Sequence, residues 1–469
     1  MVTRRHMLQA AVALPIAGHA PVFASAGAVL TATPVAGHFT HDRVRLWLQA
    51  SKAAVATISC WPEQGRESDA RRLEIRLMGE GACAAIAELR NLTPDTRYRF
   101  TVQLDGQATG LMHSFRTASP PGAAAAAFRI YLGSCAYTEA MSPNGNPYGG
   151  EFHIFDTMAG AMAADRLPHF MLWLGDNLYL RPSGKFLAEA DFASVPNMEA
   201  RYRAVRDMDM FRKVFAATHH YALWDDHDYG PDNADKTFRF KADALRLFKQ
   251  YWPNPDMGSP DLPGTWTSFT HQDAEFFFLD DRYYRDHEKA APGDGKAMFG
   301  PAQIAWLKTS LSRSPATFKL VCNGSQLLSE DQNGHHSGWH SYRSEREAFL
   351  AWLAEAKIPG LLFISGDRHN TQVFRLKQEG APVVYEFSCS PFTSRLSMLS
   401  TKDRANPRYV AELGVEQRNF GTLEFAGRGE SRRIVASCFD SNGRQLWQRT
   451  LAAATTDAGG EPVSVKRPV

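Results

Sequence analysis

The chain is short of cysteine, close to neutral and, after its first residues, without long apolar runs. Six cysteines in 469 residues are too few for a disulfide-built scaffold, so an apolar core has to carry the fold. A formal net charge of +2 gives no basic field for nucleic acid and no polybasic face for a membrane. Beyond the N-terminus no apolar run approaches the roughly 20 residues needed to cross a bilayer, so no transmembrane span is expected. There is no internal repeat. What remains is ordinary globular composition, 44% hydrophobic and 22% charged, in a chain long enough for two or three domains.

Residues 1–26 read as an address. Paired Arg4 and Arg5, an apolar run from Ala10 to Ala17 and small residues at Ala24-Ser25-Ala26 resemble a twin-arginine export signal. The expectation is a periplasmic or secreted protein carried folded by the twin-arginine machinery, its mature chain starting near Gly27. In an oxidising compartment Cys60 and Cys83, close in one small domain, are candidates to pair. Cys322, Cys389 and Cys438 read as buried thiols on strands.

Residues 29–118 alternate in the manner of short strands, as in Val44–Leu48, Ala54–Ile58 and Leu73–Leu77, which predicts an all-β sandwich. The run Leu92-Thr93-Pro94-Asp95-Thr96-Arg97-Tyr98 resembles the corner of a fibronectin type III or Ig-like sandwich, with Tyr98 buried and bonded back to the chain. Residues 119–127, Ser-Pro-Pro-Gly and five alanines, form a linker. From 128 to 451 strand-like runs alternate with helical ones, which predicts an α/β core. Pro301–Leu311 reads as a helix opened by proline, and Ser344–Ala356 as one capped by Ser344 with Glu347 three residues on. Gly421–Phe425 and Arg433–Phe439 are expected to close the same sheet. Residues 452–469 read as a tail.

The chemistry collects where five apolar strands stop. Phe128–Leu132 ends in Gly133-Ser134-Cys135, and Phe170–Leu174 in Gly175-Asp176-Asn177-Leu178-Tyr179. Tyr221–Trp224 ends in Asp225-Asp226-His227-Asp228, Phe318–Val321 in Cys322-Asn323-Gly324-Ser325-Gln326, and Leu361–Ile364 in Ser365-Gly366-Asp367-Arg368-His369. Ligands of open α/β sheets gather beyond the carboxyl ends of strands. Bringing Asp176, Asp226 and Asp367 together is costly without cations, because buried like charges repel and each is desolvated. Donor type sorts the ions. Thiolate from Cys135, phenolate from Tyr179, imidazole from His369 and a carboxylate from Asp176 suit a transition metal, most naturally Fe(III). Asp176, Asp226 and Asp367 suit a harder ion such as Ca2+, Mg2+ or Mn2+. A carboxylate shared by two metals is the arrangement used for in-line displacement at phosphorus.

Together, Gly-Ser-Cys, Gly-Asp-x-x-Tyr, Trp-Asp-Asp-His-Asp, Leu-Asp-Asp-Arg-x-x-Arg and Ser-Gly-Asp-Arg-His resemble the PhoD family, the alkaline phosphatase D branch of the calcineurin-like metallophosphoesterases. The resemblance implies a four-layer α/β sandwich, an iron plus calcium centre and hydrolysis of phosphate mono- or diesters. It makes Cys135, Asp176, Tyr179, Asp226, Asp367 and His369 the metal ligands, and His227 the catalytic histidine that stabilises charge or protonates the leaving oxygen. Asp225 is an alternative to Asp226, which is favoured for preceding His227. Asn323 and Gln326 both fall where related enzymes have a further ligand. Asn233 and Asp235 are candidates to support the second metal or to be turn residues.

Arg282 and Arg285 are candidates for phosphate contact, or for pairing with Asp280, Asp281 or Asp286; Arg368 can face either way. The loop Asn333–His340, rich in His and Trp, either lines the substrate pocket or is solvated. Residues 185–212 and 230–264 read as long insertions. The leading reading is an exported phosphoesterase acting on a small phosphate ester. Phospholipase D-type cleavage, which the family includes, and a non-catalytic binding protein are the alternatives.

Overall fold

The computed structural model describes residues 27–452 apart from 79–82, 143–144, 181–193, 292, 294 and 331–336. The export signal, residues 453–469 of the expected tail, His335 and His336 lie outside the described residues, whereas Ala452 belongs to the last strand.

Seven strands come first: β1 Val35–Phe39, β2 Val44–Gln49, β3 Ala54–Pro62, β4 Arg71–Leu77, β5 Ala84–Leu89, β6 Arg97–Leu104 and β7 Gln107–Arg116. They form an antiparallel sandwich of two sheets, β1-β2-β5 against β4-β3-β6-β7. The corner forms as its sequence predicts. Tyr98 is buried and its hydroxyl accepts the Thr93 amide at 2.9 Å. Cys60 lies on β3 and Cys83 just before β5, in different sheets, and both are free thiols rather than a disulfide. Burial holds the Cys60 thiol at a pKa of about 11, as for an inert core residue.

The remainder holds two six-stranded sheets. The first has the order β10-β9-β8-β17-β18-β19, with β8 Phe128–Gly133, β9 His169–Leu174, β10 His219–Leu223, β17 Asn419–Ala426, β18 Arg433–Asp440 and β19 Gln445–Ala452. The second has the order β11-β12-β13-β14-β16-β15, with β11 Thr267–His271, β12 Ala274–Phe278, β13 Phe318–Cys322, β14 Leu361–Ser365, β15 Gln372–Leu376 and β16 Val384–Ser388. The five strands read from sequence all form, but on two sheets: β8, β9 and β10 run parallel in one, β13 and β14 parallel in the other.

Period-two alternation explains the layering. On β9, Phe170, Leu172 and Leu174 join the core between the sheets, whereas Met171 and Trp173 face helices. Those helices are α1 Ile154–Ala164, α2 Val195–Asp207, α3 Asp209–Ala217 and α5 Lys241–Tyr251; α4 is the single turn Asp226–Tyr229. On the second sheet Phe277, Val321 and Phe363 pack beneath α6 Pro301–Arg313 and α7 Arg343–Ala356, while the short α8 Thr401–Ala405 lies near the C-terminal strands in sequence. The result is helix, sheet, sheet, helix. The cap of α7 differs from its expectation. The helix starts one residue earlier, Tyr342 occupies the cap without a side-chain bond, and Ser344 lies inside the first turn.

The sandwich shares the inter-sheet core. Gly37 lies so close to Pro253 that a Cβ would meet its carbonyl at 2.3 Å, and Phe39 packs on the His219 ring at 4.1 Å. Residues 119–127 carry no regular structure, yet Gln272 binds both Ser119 and Ala126. Part of the second insertion is structural: α5 buries Leu247, Phe248 and Tyr251.

Candidate metal centre

The two sheets bring their carboxyl ends together, and two glycines permit it. A Cβ on Gly175, whose φ is +90°, would sit 2.7 Å from the Asp225 Cβ; one on Gly366 would sit 2.5 Å from the Ser134 Cβ. Backbone bonds then tie the ends across: Cys135 N to Gly175 O at 3.2 Å, Gly366 N to Gly324 O at 2.8 Å and Phe392 N to Ser134 O at 2.8 Å.

Asp176 stands at the middle. Its Oδ2 lies 3.6 Å from Cys135 Sγ and 3.2 Å from the Tyr179 hydroxyl, and its Oδ1 accepts the His227 amide at 3.3 Å. The Tyr179 hydroxyl lies 3.4 Å from His369 Nε2 and 2.8 Å from Ser394 Oγ. Donor atoms of Cys135, Asp176 and His369 lie within 4.8 Å of one another, and so do those of Asp176, Asp226 and His227. Asp176 thus belongs to both groups. Asp367 lines the same cleft and accepts Ser337 Oγ at 2.7 Å.

Backbone and charge both test whether cations fit here. Cys135, Asp176, Asp367 and His369 have φ of +61°, +51°, +74° and +57°. For residues with a Cβ each such conformation costs about 1–3 kcal/mol and persists where the surroundings hold it for a purpose. Burial, then Asp226, Asp225, Asp228 and Asp367, pushes the Asp176 carboxyl well above its usual range. Burial does the same to the Cys135 thiol and the Tyr179 phenol, each with Asp176 as the next cause. Burial, then Arg395, His227 and Arg368, brings His369 down to about 3, so its imidazole is neutral and able to ligate. Asp226 alone is pulled low: burial raises it, but His227 and Arg282 outweigh that. Sulfur, phenol, imidazole and several carboxylates converging in one buried cluster fit two metal cations, which would relieve every upward shift.

The other predicted residues separate. Asp226 faces the cleft and accepts the Asn233 amide at 2.7 Å. Asp225 instead caps α4 and pairs with the fully buried Arg282. Arg282 is therefore a fastener for Asp225, with Asp281, one of the three acids its sequence neighbourhood offered, also 3.7 Å from its Nε, and not a phosphate contact. Arg285 is also buried, donating to Ser337 O at 2.9 Å with its guanidinium over Tyr342. Arg368 lines the cleft. Asn323 and Gln326 are buried beside it without lining it. Asn323 donates to Asp281 at 3.1 Å, and Gln326 to Ser388 at 3.0 Å. Asn233 lines the cleft with φ +57°, whereas Asp235 accepts Thr237 in a turn and does not. Of the His-rich loop, the described Ser337 reaches the cleft.

Sequence reading did not pick out Tyr148, Glu288, Arg395 or Ser397, all of which line the cleft. A sixth strand end was the available signal: β16 stops at Ser388 and leads into Cys389-Ser390-Pro391-Phe392-Thr393-Ser394-Arg395. Ser390 Oγ lies 3.2 Å from Cys135 Sγ and also accepts the His369 amide at 2.9 Å. The cleft holds about 150 Å³. Roomier hollows of about 480 Å³ beside His38 and Asp256, and about 400 Å³ beside Arg129 and Glu424, collect none of these donors.

A two-sheet sandwich with acids, thiol, phenol and imidazole at converging strand ends defines the class as a metal-dependent phosphoesterase. Residues 131–435 match the family model described as PhoD-like phosphatase, and the chain belongs to that family. It is similar in structure to a protein solved as "Structure of PhoD", with a TM-score of 0.72 and 17% identity over 94% of this chain and 95% of that one. It is also similar to the purple acid phosphatase PPD1 from yellow lupin (Lupinus luteus) seeds, with a TM-score of 0.63 and 10% identity over 91% of this chain and 74% of that one. No curated protein matches the sequence.

Proposed function

We propose that this chain is an exported hydrolase of small phosphate esters, mono- or diesters, working at a centre of one Fe(III) and one divalent ion, Ca2+ ahead of Mg2+ or Mn2+. Cys135, Asp176, Tyr179 and His369 would hold the iron; Asp176, Asp226 and Asp367, supported by Asn233, would hold the divalent ion. The observation that carries this is Asp176, whose carboxylate belongs to a sulfur- and nitrogen-containing group and to an acid-rich one at once. Metal ions bound there would supply polarisation of the phosphoryl oxygens and a hydroxide nucleophile at neutral pH.

The chain's own groups do the rest. The His227 ring lies 4.2 Å from that of Tyr179, tilted by 30°, and its Nε2 lies 3.6 Å from Asp232 Oδ1; both His227 and Asp232 line the cleft. From that place Nε2 can pass a proton to the leaving oxygen. Arg368 offers charge to the phosphoryl group. Export rests on the paired arginines and small-residue site within residues 1–26.

The test is metal analysis of protein exported by its own cells, with p-nitrophenyl phosphate and bis-p-nitrophenyl phosphate assayed in parallel. Near-stoichiometric iron plus a divalent ion, and hydrolysis abolished by chelation, is expected. Metal-free, inactive protein would overturn the reading.

A further inference from the structure

We infer that Arg395 and Arg368 form a two-arginine clamp that makes this site prefer the doubly charged phosphate monoester over the singly charged diester. The inference rests on the phosphoesterase reading and deepens it.

Both arginines line the cleft with Asp176, Asp226 and Asp367. Neither guanidinium makes a hydrogen bond or an ion pair with any described residue. Arg368 Nε is buried with no hydrogen-bond partner. A buried guanidinium nitrogen without an acceptor leaves a desolvation cost unanswered, and an anion entering the cleft would answer it. Arg395 lies over the face of Tyr148 at 5.5 Å, and Tyr148 is itself part of the cleft wall. A cation–π contact of that kind holds the guanidinium beside the cleft and occupies none of its N–H groups.

The segment bearing Arg395 is also held. Ser394 Oγ donates to Cys135 O at 3.0 Å, and Ser397 N to His369 O at 3.0 Å. The clamp is thereby built onto the same loops that carry two of the candidate ligands. Arg282, also near the centre, is spent on Asp225 and cannot serve.

Size agrees with charge. At about 150 Å³ the cleft is smaller than the roughly 300 Å³ at which ordinary ligand pockets begin. It takes a phosphoryl group and leaves the esterified group at the rim. A diester brings a second such group and one charge fewer, so it fills more space while giving two arginines less to bind. Arg–phosphate contacts are charge-assisted and geometrically specific, which is why they discriminate by anion charge.

The experiment compares wild type with Arg395→Gln, Arg368→Gln and Arg395→Lys, each metal-loaded. It measures kcat and KM on p-nitrophenyl phosphate and bis-p-nitrophenyl phosphate, and the inhibition constant of inorganic phosphate. Wild type should show the higher kcat/KM on the monoester. Each glutamine variant should raise the monoester KM and the phosphate inhibition constant by about tenfold or more, while the diester KM moves by less than about threefold. Arg395→Lys should recover part of the loss. Equal losses on both esters, no change on either, or a wild type that prefers the diester would overturn the clamp and leave the hydrolase standing. A metal-loaded wild type inactive on both esters would instead bring down the phosphoesterase reading, and the clamp with it.

Discussion

β9 and β10 are each apolar runs with titratable groups at both ends, and the two ends differ. Their amino ends carry His169, His219 and His220; their carboxyl ends lead into Asp176, Asp225, Asp226 and His227. Both ends are buried, and burial shifts pKa values at each. At the amino end every shift favours the form the ring already wants. His219 Nδ1 bonds Gly37 O at 2.8 Å while Nε2 accepts the Arg116 amide at 3.2 Å. His220 Nε2 bonds Val214 O at 3.0 Å while Nδ1 accepts Trp173 Nε1 at 3.1 Å. One donor and one acceptor per ring is the complement of a neutral imidazole, and burial brings the two to about 4 and about 3. At the carboxyl end burial pushes Asp176, Cys135 and Tyr179 towards protonation, although their geometry converges for ligation. Left-handed backbone accompanies the second end and not the first. Buried titratable groups alone therefore do not mark a site. Satisfied rings mark a core, and strained, converging, mutually repelling donors mark a centre.

The sharpest break of that contrast is Asp176→Asn. Asn keeps the size and part of the hydrogen bonding but removes the charge shared by both ligand groups. Phosphate ester hydrolysis should fall by on the order of a thousandfold, and metal content should drop at both positions, with far-UV circular dichroism unchanged. Loss of one metal only would mean that Asp176 serves one group and that the two are separate sites.

Next in size is Arg282→Leu. It leaves Asp225 buried without its cation, and removing one partner of such a pair costs about 3–5 kcal/mol. Urea unfolding of the metal-loaded protein measures it. A loss of that order with the cleft arginines intact supports a structural Arg282, whereas unchanged stability with a raised KM would return it to phosphate binding.

The same residue explains what sequence could and could not reveal. The strand ends were legible because each is an apolar run stopped by a short polar stretch carrying metal-type donors, a local pattern. Asp226 over Asp225 was legible from its place before His227. The adjacent Asp281 was legible as a partner of Arg282, but its closer partner Asp225 was not, because Asp225 is 57 positions away and becomes its neighbour only when the two sheets meet. Arg395 and Tyr148 escaped for a related reason. The end of β16 pointed towards Arg395, but its segment and that of Tyr148 supply none of the candidate ligands that singled out the other strand ends. Two sheets rather than one also lay beyond local reading, since parallel strands of either sheet have the same apolar signature.

The smallest expected effect tests the histidine end. The folded-state pKa of His219 is about 4, against 6.5 for the free side chain. The unfolded chain therefore binds a proton between those values that the folded chain refuses. Its contribution to stability is complete above pH 6.5 and is lost as pH falls towards 4. His38, also brought to about 4 by burial and then Arg45, adds to the same slope at the seam with the sandwich. His219→Gln should lower the urea midpoint at pH 7.5, because the bonds to Gly37 and Arg116 are no longer matched. It should also flatten the fall between pH 6.5 and 4.5, because one titrating group is gone. Comparing the two slopes cancels the carboxylates at the other end, which both proteins share. A variant that loses stability equally at every pH would make His219 a packing residue only. A flattened slope would establish that His219, at the amino end of β10, contributes to the acid sensitivity of the fold.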